Sequence, residues 1–279
     1  MTVRIITDSS AGLPSHLVEE LGIIVIPAYV CFGAKTYRDG VDLTTEQFYK
    51  KLISSKTLPT TAVPAPTVFS EAYDKLAKET DEILVITISH KLSAIHEKAL
   101  QALELMKRKC RIEVIDSEWA LMAEGLIVIA AARAARAGAG FDEVVDLTRR
   151  NIPRADIRIA FDTLEYLQRG GRIGKAQAFL GSVLKVNPIL SIKDGETYPV
   201  ARERSRAKAV EHLYKFAMSY SHIEGMAIED ATTPGEAEML AELINSKFPK
   251  ESIYRSKVTP AVGVHVGPHV LAVSVLGDR

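Results

Sequence analysis

Two hydroxyls stand where an acidic ligand could be met. Ser93 follows the apolar run Ile83–Ile88 through the polar exit Ser89-His90-Lys91-Leu92, and it opens Ala94-Ile95-His96-Glu97-Lys98-Ala99-Leu100, which reads as a helix. A hydroxyl beside the free N–H groups of a helix start can hold a carboxylate or a phosphate; it can equally cap its own helix. Thr61 lies in the Pro/Thr stretch from Pro59 to Pro66, where a hydroxyl can serve a ligand or a turn. Asp8-Ser9-Ser10 follows a β-rich run directly. A phosphatase would want a second Asp two residues after the first, and Ser10 stands there. The triplet reads as a polar cluster at a crevice mouth, or as an Asx-turn that starts a helix; Asp116-Ser117 has the same two readings.

The remaining candidates are basic or imidazole. Arg169-Gly170-Gly171-Arg172-Ile173-Gly174-Lys175 looks like a phosphate loop but departs from one. Its glycines Gly170 and Gly174 enclose three residues, Ala176 stands where a Mg²⁺-binding hydroxyl belongs, and a helix rather than a strand precedes it. Nucleotide hydrolysis is therefore not expected, and what survives is a turn presenting Arg169, Arg172 and Lys175. Arg202, Arg204, Arg206 and Lys208 form a second basic cluster at a helix start, where the macrodipole opposes them. They read as a solvated face or as a surface for an anionic partner. His265 and His269 are separated by Val266-Gly267-Pro268, which breaks a helix, so a zinc pair is not expected and a polar His beside a crevice fits better. There is no G-x-S-x-G elbow and no G-x-G-x-x-G fingerprint. Nothing assembles a complete catalytic machine.

The elements that must position these residues alternate. Val3–Thr7 reads as a strand and Pro14–Leu21 as a helix. Ile23–Val30 reads as a buried strand interrupted at Pro27, Asp39-Gly40 as a turn, Thr44 or Thr45 as the cap of a helix to about Ile53, and Pro59–Pro66 as a loop. A helix buries Phe69, Tyr73 and Leu76; strand Ile83–Ile88, helix Ser93 to about Lys107, strand Arg111–Ile115 and helix Trp119–Ala137 follow. Such alternation implies a mainly parallel sheet with helices on both faces, and ligands bind where its strands end. Past Gly138 and Gly140 the character changes. Helix Phe141–Asn151, strand Asp156–Phe161 and a helical turn at Leu164–Gln168 lead to Pro188–Ile192 and Thr197–Val200, which flank the hairpin signal Asp194-Gly195. Helix Ser205–Ser219, strand Gly225–Glu229, helix Gly235–Ser246, strand Ser252–Lys257, a short segment Thr259–His265 and strand Val270–Leu276 complete a mixed sheet. The division is expected as 1–150 and 151–279.

A chain of 279 residues can form one large domain or two modest ones. With Lys+Arg 35 and Asp+Glu 35 the net charge is +0, which argues against a nucleic-acid binder. Cys31 and Cys110 show no metal spacing and read as reduced thiols of a cytoplasmic protein. MTVRIITDSS carries no apolar signal core, and no run reaches the ~18 apolar residues of a membrane span. Neither a signal peptide nor integral membrane association is expected.

The ordered set of Thr7-Asp8-Ser9-Ser10, Tyr37-Arg38-Asp39-Gly40, Pro59-Thr60-Thr61-Ala62-Val63-Pro64, Ile88-Ser89-His90-Lys91-Leu92-Ser93, Val114-Ile115-Asp116-Ser117, Tyr166-Leu167-Gln168-Arg169-Gly170-Gly171-Arg172-Ile173 and His265-Val266-Gly267-Pro268 resembles the DegV family of bacterial fatty-acid-binding proteins, over residues 3–277. The resemblance implies a two-domain α/β protein with a long acyl chain buried in it and no cofactor. It implies a lipid-binding carrier rather than an enzyme: the binding subunit of a fatty-acid kinase, in which a separate kinase phosphorylates the bound carboxylate with ATP and the acyl phosphate feeds phospholipid synthesis. Thr61 and Ser93 match the carboxylate-holding hydroxyls, and Arg172 and His265 match positions near the head group and the transfer route. Arg202 and Arg204 are then read as facing the kinase. The sequence departs from the family pattern at Ala62-Val63, at Ala94-Ile95 and at His269, which removes hydroxyl and amide groups near the head group. Hydrophobic residues make up 47% of the chain and aromatics 6%, so aliphatic walls suit methylenes. At ~0.8 kcal/mol per buried CH₂ a sixteen-carbon tail supplies roughly 10 kcal/mol before binding costs. The alternative is an enzyme acting on a phosphorylated small molecule through the Asp8/Ser10 crevice.

Overall fold

The computed structural model describes residues 3–55, 57–180 and 186–279. The first part of the chain forms β1 (Arg4–Asp8), α1 (Ser15–Leu21), β2 (Ile24–Ile26), β3 (Tyr29–Phe32), β4 (Lys35–Arg38), α2 (Thr45–Ser54), β5 (Thr60–Ala62), α3 (Pro66–Leu76), β6 (Glu82–Thr87), α4 (Ile95–Gln101), β7 (Arg111–Asp116), α5 (Leu121–Arg136) and α6 (Phe141–Asn151). The second part forms β8 (Ala155–Ala160), α7 (Glu165–Arg169), β9 (Asn187–Lys193), β10 (Glu196–Glu203), α8 (Arg206–Met218), β11 (His222–Asp230), α9 (Pro234–Ile244), β12 (Tyr254–Lys257), α10 (Pro260–Val266) and β13 (Leu271–Asp278).

The described residues form three sheets. A parallel sheet runs β2-β1-β6-β7, a small antiparallel one β4-β3-β5, and a mixed one β10-β9-β8-β13-β11-β12. Period-two alternation sorts the parallel strands. Ile5, Leu84 and Ile86 pack toward α5 and α6, while Ile6, Ile83 and Val85 join the cluster that holds α3 and α4. Both faces are covered, as the alternating units require.

α5 explains how the sheets meet. It contacts β1 and β6 of the parallel sheet and β8, β11 and β13 of the mixed sheet. Twelve of its 16 residues are buried, so it is apolar nearly all round. The opposite face of the mixed sheet is covered by α8 and α9. In the parallel sheet, β1 leads to its neighbour β2 on one side and β6 to its neighbour β7 on the other. The reversal point therefore lies at the carboxyl ends of β1 and β6, where open α/β sheets bind ligands.

Four local expectations change. Pro27 does not merely interrupt a strand: β2 joins the parallel sheet and β3 the small one. The expected loop Pro59–Pro66 contains β5, in which Thr61 pairs with Val30, and β4 supplies the other edge of that sheet. The helix after Ser93 spans only Ile95–Gln101 before tightening into a short turn, and the segment at Thr259–His265 is helix α10, Pro260–Val266.

Candidate functional site

An apolar slot opens at that reversal point. Ser10, just past β1, and Ile88, just past β6, both line it. First-part walls are Ala28, Val63, Ile95 and Leu121; second-part walls are Ile159, Phe161, Leu167, Ile192 and Val266. The cleft encloses about 850 Å³ between atoms, mouth included. Its lining is mostly aliphatic, as a polymethylene chain requires.

Thr61, Ser93, Arg172 and His265 all line this one cavity. Each arrives from a different element. β5 carries Thr61, and its pairing with β3 fixes which way the residue faces. α10 carries His265, whose Nε2 lies 3.0 Å from Thr61 Oγ1. Burial, with the Arg172 charge second, pushes the imidazole down to about 4, so His265 is neutral near pH 7. Its Nδ1 is buried without a hydrogen-bond partner among the described residues. The ring packs against Gly170, where a Cβ would run into Nδ1, and Gly171 takes a left-handed φ of 69°. The double glycine is thus explained by a close approach and a turn.

Arg172 is exposed and bridges two loops: Nε donates to Leu92 O at 3.0 Å and Nη1 to Gly170 O at 2.8 Å. The Arg172 carbonyl accepts from Thr197 Oγ1 at 2.8 Å. Ser93 Oγ accepts the Ile95 N–H at 3.3 Å, closing the turn just before α4, and the residue also lines the slot. Of the departures from the family pattern, Ala62, Val63 and Ile95 line the cavity, Ala94 borders an outer groove shared with Ser93 and Arg172, and His269 is exposed elsewhere. Thr197 is a cavity hydroxyl that sequence reasoning missed. It sits in a hairpin strand whose alternation gives no sign of a ligand.

Apart from Ser10, the other candidates lie outside the slot. Arg202 stacks over the Phe179 ring at 4.2 Å and donates to Ala178 O at 3.0 Å, so it secures the short turn after the Gly-rich loop. Arg204 is exposed, with no hydrogen-bond or ion-pair partner among the described residues. Arg206, by contrast, chelates Glu236 through Nε and Nη2, and Lys208 pairs with Glu211 at 2.6 Å. Asp8 is fully buried, with Oδ1 accepting from Ser10 N and Oδ2 from Ile88 N, both at 2.9 Å; it caps the turn after β1. No group of three or more metal-ligating side chains occurs among the described residues, and no described helix is long and apolar enough to cross a membrane.

The family profile described as uncharacterised protein, DegV family, matches residues 2–278. A DegV domain-containing protein of Caldanaerobacter subterraneus subsp. tengcongensis is 33% identical over 279 residues, covering 97% of each chain. The solved structure of a fatty-acid-binding DegV family protein from Thermus thermophilus superposes with a TM-score of 0.91 at 30% identity, over 99% of this chain and 100% of that one. That of DegV, a fatty acid binding protein from Bacillus subtilis, gives 0.88 at 29% identity over 99% of both. With the motifs in order along the whole chain and the fold shared throughout, this protein belongs to the DegV family.

Proposed function

We propose that this chain binds a long-chain fatty acid in the slot, with the carboxyl group at Thr61 and Ser93 and the tail along the aliphatic walls. The observation that carries the reading is the combination of one apolar slot with a few hydroxyls and a neutral imidazole gathered at it. Binding by the Thermus and Bacillus relatives supports it. The protein acts as a cytoplasmic carrier, not a catalyst: a separate kinase phosphorylates the bound acid. Arg172, at the border between slot and outer groove, stabilises the charge that develops on the transferring phosphoryl group. Arg202 and Arg204 face the kinase.

Native mass spectrometry of freshly purified protein is the test. A co-purified mass of roughly 250–290 Da, the size of a long acyl chain that fits such a cavity, is expected. Protein that is clean and stays clean when fatty acid is added sinks the reading. Reconstitution with candidate fatty-acid kinases tests the second half: Arg172→Ala should still bind acid yet support little acyl phosphate, and wild-type rates would remove Arg172 from the transfer route.

A further inference from the structure

We propose that the slot holds its acyl ligand as the neutral acid, so that binding takes up one proton per chain. This rests on the fatty-acid reading above and specifies the form in which the head group is bound.

The polar lining is almost entirely uncharged. It consists of the hydroxyls of Ser10, Thr61, Ser93 and Thr197, the His265 ring, and Arg172, the one cation among the described lining residues. Arg172 is exposed to solvent, which screens it, and two of its N–H groups already serve Leu92 O and Gly170 O. Beside the two lead hydroxyls the lining is apolar at Val63 and Ile95, while Ala62, next to Thr61 in β5, is exposed. A carboxylate enclosed without a buried cation is costly, and such a group takes up a proton instead.

His265 is a poor place for that proton. Nε2 faces Thr61 Oγ1, while Nδ1 is buried with no acceptor among the described residues, so an imidazolium would leave one N–H unsatisfied. Arg172, from the Gly-rich turn, is the charged group that acts on the ring, and it opposes a second positive charge; Thr61 of β5 and the Gly170 backbone also lie against the ring, while Asp39, the buried carboxyl packed at the start of α10, accepts from the Ala261 N–H and Ser9 Oγ. The acid itself is well matched to hydroxyls, because a COOH both donates and accepts. Ser93 Oγ already accepts the Ile95 N–H, which leaves its O–H to donate to the acid carbonyl. Thr61 Oγ1 has lone pairs for both the His265 Nε2–H and the acid O–H.

Calorimetric titration with dodecanoate at about pH 7.5, in two buffers of different ionisation enthalpy, counts the protons, since the free acid is ionised there. The expected count is about one per dodecanoate, with affinity falling about tenfold per pH unit between about pH 6.5 and 7.5. Dodecanol, which has no titrating head, should take up none. A count of zero with dodecanoate overturns the proposal. So does a count of one with dodecanol, because the proton would then belong to the protein. His265→Gln keeps a donor toward Thr61 but cannot bind a proton: the count should stay at one, and a fall to zero would move the proton to His265 and overturn the assignment. Protein that binds neither compound refutes the fatty-acid reading, a result distinct from binding without proton uptake.

Discussion

At the scale of single residues, the proposed head-group site is two hydroxyls whose contributions can be measured. A hydrogen bond to a neutral partner contributes about 0.5–1.5 kcal/mol, and one to a charged partner about 1.5–3. Thr61→Ala with Ser93→Ala should therefore keep the fold and weaken binding of a neutral acid by roughly 5- to 150-fold. Direct titration checks this, and unchanged affinity would mean that the head group sits elsewhere. Arg204 and Arg202 make a useful contrast. Arg202→Ala removes the stack on Phe179 and perturbs the adjoining turn, so a loss there mixes structure with partner binding. Among the described residues Arg204 has no such contact. Arg204→Ala should leave thermal stability and acyl affinity unchanged while raising the kinase concentration needed for half-maximal acyl-phosphate formation. An unchanged kinase requirement would return Arg204 to the ordinary solvated surface.

At the scale of elements, the junction around α5 carries buried carboxyls that the ligand site does not use. Glu124 on α5 and Glu229 on β11 have no exposure, and Glu229 Oε2 accepts the Met122 N–H at 2.8 Å. Burial pushes Glu229 up to about 8. A carboxyl raised on folding binds its proton more tightly in the native state. Its contribution is full below the unfolded value of about 4.3 and is lost as pH rises toward and through the folded one. Glu229→Gln, uncharged at every pH, should gain in melting temperature relative to the native protein as pH rises from about 5 to 8. A difference that does not grow over that range refutes the assignment.

Elements with strong local chemistry were legible in the sequence. The helix at Phe141–Asn151 occurs as read, and Asp194-Gly195 forms its hairpin, with φ of 51° and 77°. The misread elements were decided by distant partners. β5 has three residues and exists because β3 pairs with it; β2 and β3 form a continuous apolar run whose halves find different sheets. The site divides in the same way. Ser93 announced itself by following a strand, but Thr61 and His265 are 204 residues apart, and no local pattern joins them. Only the order of motifs along the chain pointed to that pair.

At the scale of the molecule, we propose the division at 1–150 and 151–279. The strands of the parallel and small sheets all precede it, and those of the mixed sheet all follow it. Yet the two parts should not fold independently. α5 belongs to the first part by sequence, while β8, β11 and β13 of the second part cover one of its flanks. Leu126 lies close against Gly225 of β11, and burying one such side chain contributes ~1.5–3 kcal/mol. A cut at the boundary would expose that flank and the facing sheet together. Urea unfolding should therefore be one transition, with the fluorescence of Trp119, which bonds Ile152 O from just before α5, coinciding with far-UV circular dichroism. The slot strengthens the same coupling, because both parts line it and a bound acyl chain must touch both. Saturating fatty acid should raise the midpoint of that single transition and keep the probes coincident, since a ligand that binds only the joined state stabilises the joint. Two separated transitions, with ligand shifting only one of them, would show that the acyl chain belongs to one part and that α5 does not unite the fold.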